Sequence, residues 1–84
     1  MSSFILYTLN GCPHCDEATE LLNHRDRKHI IMELNREHPT LQGLKDELDW
    51  KTVPIIFEMS GRDQKFIGGY TDLVDYLEGE DNGQ

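Results

Sequence analysis

The chain contains little cysteine and little positive charge. Only two of its 84 residues are cysteines, which is too few for the disulfide framework of a small secreted protein. Eight lysines and arginines stand against sixteen aspartates and glutamates, for a net charge of -8. Because such a surface repels phosphate backbones and anionic lipids, we expect neither nucleic acid nor a membrane surface as a partner.

Long apolar runs are also missing. No stretch approaches the roughly 20 residues that cross a bilayer, and the amino terminus, MSSFILYTLNG, has no basic region of the kind that opens a secretory signal. A close cysteine pair without an export signal indicates a reducing compartment, so we expect a cytoplasmic protein. The length predicts one domain over residues 1–84, whose polar tail, residues 79–84, is frayed, and we expect a monomer.

The remaining pattern alternates between strand and helix signals. Apolar β-branched and aromatic runs indicate strands, whereas apolar residues at three- and four-residue spacing indicate helices. The predicted segments are a strand at FILYT, a helix from Pro13, a strand at HIIMEL, a helix from Pro39, strands at VPIIFEM and KFIG, and a helix N-capped by Thr71. This order, β-α-β-α-β-β-α, predicts an α/β fold with a mixed four-stranded sheet flanked by helices.

The two cysteines stand in the sequence CPHC, where the first helix begins. Cys12 takes the N-cap position before Pro13, so its sulfur meets unpaired N–H groups and the positive end of the helix dipole. Both favour the thiolate, which is the nucleophilic form. Cys15 falls one turn later on the inward side, close enough to attack a mixed disulfide on Cys12. The spacing therefore predicts an exposed attacking thiol and a buried resolving thiol.

Neighbouring residues have opposite effects on the stability of the Cys12 thiolate. A protonated His14 would stabilise the thiolate, whereas Asp16, Glu17 and Glu20 would destabilise it. A zinc site is disfavoured because a tetrahedral site needs two more ligands and there is no second CxxC, so we expect no metal. A structural staple is disfavoured because the loop that it would close is very small.

Two further motifs flank the third strand and the last helix. In KTVPIIF, Pro54 must lie at the beginning of the strand. A cis bond there would turn the backbone of Val53 outward to pair with an extended cysteinyl peptide, but the residues alone favour a plain turn. In GGYTD, the glycines allow close approach, and the helix that follows offers free N–H groups to a carboxylate, with Asp72 available to an amine.

Taken together, CPHC before a helix, TVP before an apolar strand and GGYTD before the last helix resemble the glutaredoxin family over nearly the whole chain. The resemblance implies the minimal thioredoxin fold, a cis bond before Pro54, and a thiol–disulfide oxidoreductase that uses glutathione as co-substrate. It implies Cys12 as nucleophile and Cys15 as resolving thiol. The implied glutathione-binding residues are His14, Thr52, Val53, Pro54, Gly69, Tyr70, Thr71 and Asp72.

Two residues depart from the family's pattern. Leu9 stands where members commonly carry Lys or Arg, and we expect Gln42, Lys45 or Lys51 to compensate. His14 stands where they usually carry Tyr, which we interpret as a shift in redox poise. The resemblance implies disulfide-containing or glutathionylated proteins as clients, with ribonucleotide reductase as a candidate. Two alternatives stay open: a thioredoxin-like donor recharged by a flavin reductase, and a glutathione-ligated iron–sulfur module.

Overall fold

The structure, a computed structural model, describes residues 2–82. Its elements follow the predicted order. The first two helices begin at Pro13 and Pro39, as predicted, and the second strand has both of its predicted bounds. The elements are β1 (Ser2–Leu9), α1 (Pro13–His24), β2 (His29–Leu34), α2 (Pro39–Leu48), β3 (Ile55–Ser60), β4 (Asp63–Gly68) and α3 (Tyr70–Asn82).

The strands form one mixed sheet in the order β2-β1-β3-β4. β1 runs parallel to β2 and antiparallel to β3, and β3 runs antiparallel to β4. The turn between β3 and β4 needs a left-handed residue, which Gly61 supplies with φ +62°. The predicted fold class, a mixed four-stranded sheet with helices, is confirmed.

Each face of the sheet has its own core, because side chains alternate along β1. One core joins β1 and β3 to the apolar faces of α1 and α3; its buried members are Phe4, Leu6, Ala18, Leu22, Ile56, Leu73 and Leu77. The other lies under α2 and is built on Leu41, Ile55 and Phe57. The carboxyl end of β1 and the amino ends of α1 and β3 are thereby held together.

A polar cluster ties α3 to the sheet. The hydroxyl of Tyr76 donates a hydrogen bond to the nearly buried carboxylate of Glu58 on β3. Arg27 lies 3.7 Å from the same carboxylate and pairs with Glu80 at 2.6 Å. The hydrogen bond to Glu58, followed by burial, raises the pKa of Tyr76 to about 12. This cluster therefore depends on a protonated phenol.

The start and the end of α3 differ from the predictions. The helix begins at Tyr70, so Thr71 lies inside it and is not the N-cap. Instead, the Gly69 carbonyl accepts the first helical bond, from the N–H of Leu73, and the Asp72 carboxylate accepts the N–H of Gly69 at 2.9 Å. This reciprocal arrangement replaces the Thr cap. Helix α3 continues through Asn82, so residues 79–82, which we expected to belong to a frayed tail, are assigned to the helix; residues 83 and 84 lie outside the described residues.

Candidate active site

Cys12 and Cys15 lie at the amino end of α1 and are joined by a disulfide, with a Cα–Cα distance of 5.2 Å. Cys12 has extended backbone angles and is the N-cap, and Pro13 follows as the first helical residue, where its missing N–H costs nothing. The Cys12 sulfur accepts the N–H of Cys15 at 3.1 Å. A sulfur at this point is held by a peptide donor of the helix, as the sequence predicted.

The two cysteines differ in exposure. Cys15 is 3% exposed and packs against the body of the protein, whereas Cys12 is half-buried and faces outward. Only Cys12 can meet a sulfur on another molecule, and only Cys15 can reach Cys12 from within. The geometry supports unequal roles for the two sulfurs.

His14 is exposed and lies between two partners. Its ring stacks on that of Tyr70, at 6.1 Å between centroids and 19° between planes. Its Nδ1 lies 3.3 Å from a carboxylate oxygen of Glu17. Any positive charge on His14 is therefore offset by Glu17, which weakens its influence on the neighbouring sulfur.

A groove of about 230 Å³ runs beside Cys12, between α1, the segment before β3, and the start of α3. It brings together seven of the eight residues that the resemblance assigns to glutathione. These lining residues are His14, Thr52, Val53, Gly69, Tyr70, Thr71 and Asp72. The remaining one, Pro54, is fully buried behind the groove and follows a cis peptide bond, as the resemblance implied.

The two ends of the groove offer different chemistry. At one end, the carbonyl oxygen of Val53 lies 4.0 Å from the Cys12 sulfur. At the other, the first three residues of α3, Tyr70, Thr71 and Asp72, carry N–H groups without an intrahelical acceptor. Asp72 adds a carboxylate, one oxygen of which is occupied by Gly69. The groove thus has the backbone of Val53 near the Cys12 sulfur at one end. At the other end it has a helix amino terminus that favours an anion, next to the Asp72 carboxylate.

Trp50, which no sequence pattern singles out, also lines this groove. Its ring packs edge-to-face on Phe66, at 5.3 Å between centroids, and lies against Gly69. Among the described residues its indole N–H is the one buried side-chain donor or acceptor without a partner. The signal available in the sequence was a lone Trp three residues before Val53, but no periodicity marks it.

Leu9 does not reach the groove, because its side chain packs with the core under α2. A second groove, of about 340 Å³, adjoins the first at Trp50 and is lined by Gln42, Lys45 and Lys51, together with two aspartates. The amide of Gln42 is engaged by the carbonyl of Arg36 at 2.8 Å. The two lysines are therefore the freer donors on this side of Trp50.

Residues 2–82 contain no helix that is long and apolar enough to cross a membrane. Within the same range, no group of three or more His, Cys, Asp or Glu side chains is arranged to hold a metal ion.

The chain is similar in sequence and in fold to known proteins. The glutaredoxin family model matches residues 4–62. Glutaredoxin 1 of Rickettsia bellii is 35% identical over 79 residues, which cover 89% of this chain and 76% of that protein. The crystal structure of Francisella tularensis glutaredoxin 1 complexed with cacodylate is 24% identical, with a TM-score of 0.77 and coverage of 98% of this chain and 99% of that one.

A buckwheat glutaredoxin–glutathione complex has the same fold, at 21% identity and a TM-score of 0.69, with coverage of 98% of this chain and 71% of that one. The family match spans most of the chain and includes the cysteine pair, most of β1 and all of β3. The chain therefore belongs to the glutaredoxin family, and Cys12 and Cys15 form the CxxC redox centre of a thiol–disulfide oxidoreductase.

Proposed function

We propose that the protein is a glutathione-dependent oxidoreductase that reduces protein disulfides or glutathione mixed disulfides. The observation that carries this proposal is the groove beside Cys12, because it collects a peptide edge, a helix amino terminus and an acid within reach of the outward sulfur. Glutathione has an extended cysteinyl peptide, an α-carboxylate and an α-ammonium group, and these three features match the three parts of the groove.

In the proposed binding mode, the γ-glutamyl carboxylate lies at the amino terminus of α3, where N–H groups and the helix dipole favour an anion. The γ-glutamyl ammonium pairs with the free oxygen of Asp72. The cysteinyl residue pairs with the backbone of Val53, which places its sulfur next to Cys12. Lys45 and Lys51 supply positive charge near the groove, which the apolar Leu9 does not provide.

The chemistry follows from the exposure of the two sulfurs. The Cys12 thiolate attacks one sulfur of a client disulfide; a bond forms from Cys12 to that sulfur, the client S–S bond breaks, and the leaving thiolate takes a proton. Cys15 then attacks the Cys12 sulfur and releases the reduced client, giving the Cys12–Cys15 disulfide of this structure. Two glutathione molecules reduce that disulfide and leave as glutathione disulfide. For a glutathionylated client, Cys12 bonds to the glutathione sulfur and the client leaves as a thiol; a second glutathione then attacks that sulfur, leaves as glutathione disulfide and regenerates the Cys12 thiolate.

We also propose that the chain acts as one domain in the cytoplasm on disulfide-containing or glutathionylated proteins, with ribonucleotide reductase as a candidate client. These proposals rest on the family and on the open face around Cys12.

Coupled reduction assays test the glutathione dependence. A glutathione mixed-disulfide substrate is given with glutathione and glutathione reductase, or with thioredoxin reductase alone. We expect turnover in the first assay and none in the second, and loss of turnover in Cys12→Ser. Turnover with thioredoxin reductase alone would instead identify a thioredoxin-like donor.

The variant Asp72→Asn tests the groove itself. Asparagine keeps an oxygen for the N–H of Gly69 but removes the charge, so α3 stays capped while the ammonium group loses its partner. Loss of a charged hydrogen bond costs about 1.5 kcal/mol, so we expect the KM for glutathione to rise roughly tenfold. Asp75→Asn, which is also exposed on α3, is the matched control and should leave KM unchanged.

A further inference from the structure

Strand β2 is an unprotected edge of the sheet. It pairs with β1 on one side only. Three consecutive large apolar residues at its centre are open to solvent: Ile30 is 55% exposed, Ile31 45% and Met32 44%. Edge strands are usually protected by proline, a bulge or a charged side chain, and residues 30–32 offer none of these. The opposite edge, β4, carries Asp63, Gln64 and Lys65 instead.

The pairing with β1 identifies which backbone groups of β2 are free. The N–H of Phe4 donates to the carbonyl of Lys28, and Phe4 lies in register with His29. In a parallel ladder this makes the even-numbered residues of β2 point their N–H and C=O groups at β1. The odd-numbered residues His29, Ile31 and Glu33 therefore direct theirs outward, at the open edge.

We propose that β2 is a dimerisation edge, on which the β2 strand of a second copy pairs antiparallel about a two-fold axis at Ile31. In this register Ile31 lies opposite its own copy, Ile30 lies opposite Met32, and His29 lies opposite Glu33. All three outward residues of each strand then pair with outward residues of the other, which gives six backbone hydrogen bonds by the antiparallel pattern. Every apolar residue meets an apolar one, and the base meets the acid.

Neighbouring registers fit less well. An axis at Met32 places Ile31 opposite Glu33, and an axis at Ile30 places His29 opposite Ile31. Both registers pair a polar side chain with an apolar one. Both also leave one outward residue of β2 without a partner on the β2 strand of the other copy. This self-complementarity favours a second copy over an unrelated client strand. Like charges oppose the pairing, since each chain carries -8, so we expect a weak dimer that needs physiological salt.

The edge also borders the redox centre. Ile31 and Glu33 line a groove of about 500 Å³ whose other wall includes Cys15 and Asp16. The side chain of Ile31 points to the same face of the sheet as that of Leu6, its partner in register. The two-fold axis therefore places this groove of one copy beside the same groove of the other. Dimerisation would leave the groove beside Cys12 open, because none of its lining residues lies on β2.

Sedimentation equilibrium on the full chain in the Cys12→Ser/Cys15→Ser background tests the proposal, because no disulfide can then link the copies. Over roughly micromolar to millimolar protein, where weak complexes form, we expect the average mass to rise from 9.8 kDa toward twice that value. Ile31→Lys should hold the mass at that of one chain. Gln64→Lys makes the same change on the β4 edge and should dimerise like the parent.

A charge exchange tests the register. His29→Glu places two acids opposite each other and should weaken the dimer about tenfold, whereas adding Glu33→Lys should restore it, because the new Glu and Lys then face each other. If the average mass of the parent protein stays at that of one chain over the whole concentration range, the proposal is overturned. An extended client segment would then be the alternative partner of this edge. Dimerisation that survives Ile31→Lys, or that the double variant fails to restore, would overturn it as well.

Discussion

The most direct consequence of the site geometry is an acidic Cys12 thiol. In the variant Cys15→Ser, residue 12 carries the only thiol, and the backbone N–H of residue 15 is retained. That N–H, 3.1 Å from the sulfur, gains roughly 1.5 kcal/mol when it donates to a thiolate instead of a neutral thiol. The other free N–H groups at the amino end of α1, which do not bond the sulfur, add roughly 1 kcal/mol. The sum corresponds to a factor of about 70 in the ionisation constant.

This gain exceeds the opposing effect of the nearest acids. Asp16 and Glu17 are exposed, where such interactions contribute a few tenths of a kcal/mol, and Glu17 is already paired with His14. We therefore expect half of the Cys12 thiol to be ionised below pH 7. Titration of the ultraviolet absorbance of the thiolate measures this directly, with the same variant in urea as the unfolded control. A midpoint near 8.5, the free-thiol value, would refute the reasoning.

Two further predictions concern stability. The pKa of Tyr76 is about 12 in the folded protein, against 10 for a free phenol, so the protonated phenol stabilises the fold below pH 10 and this contribution is lost as the pH rises from 10 to 12. Because the side chain is partly exposed, we expect the free energy of unfolding, measured in urea, to fall by about 1–2 kcal/mol over this range. The variant Tyr76→Phe should not show this alkaline loss. It should be about 1 kcal/mol less stable at neutral pH, because it lacks the hydrogen bond to Glu58. Gly68→Ala should cost at least about 2 kcal/mol, because φ is +124° and the methyl group would collide with Asp72. Gly43→Ala, inside α2 with nothing within 4 Å, should instead stabilise by about 0.5–1 kcal/mol; equal effects of the two glycine substitutions would contradict the packing argument.

Local rules recovered most of the fold from the sequence. Proline at the first helical position and an N-cap sulfur fixed the start of α1, and a short β-branched run fixed both bounds of β2. The same local rules misplaced the start of α3, where Thr71 is a good cap by residue type. The position was decided by Gly68, whose positive φ brings the chain round so that Asp72 reaches the N–H of Gly69.

Other features depend on which strands are neighbours, and periodicity does not encode that order. The apolar run in HIIMEL indicates a buried strand equally well at the centre or at the edge of a sheet, and the structure puts it at an edge. Trp50 has no place in any helical or strand pattern, yet the segment before β3 lies beside the start of α3 and puts it in the groove. The cis bond before Pro54 came from the family resemblance, since the residues alone favoured a plain turn.

The surroundings of Cys12 indicate what stabilises the thiolate in an acidic protein. The charged side chains nearest to it along α1 are Asp16 and Glu17, and Leu9, three residues before it, is apolar and packs with the core under α2. The stabilising groups are therefore peptide N–H dipoles of α1, and the N–H of Cys15 touches the sulfur directly, so dissolved ions screen it little. Salt instead screens the exposed carboxylates that oppose ionisation. The acidity of Cys12 should consequently hold or rise slightly as ionic strength increases, whereas a thiolate held by a surface lysine would lose its stabilisation.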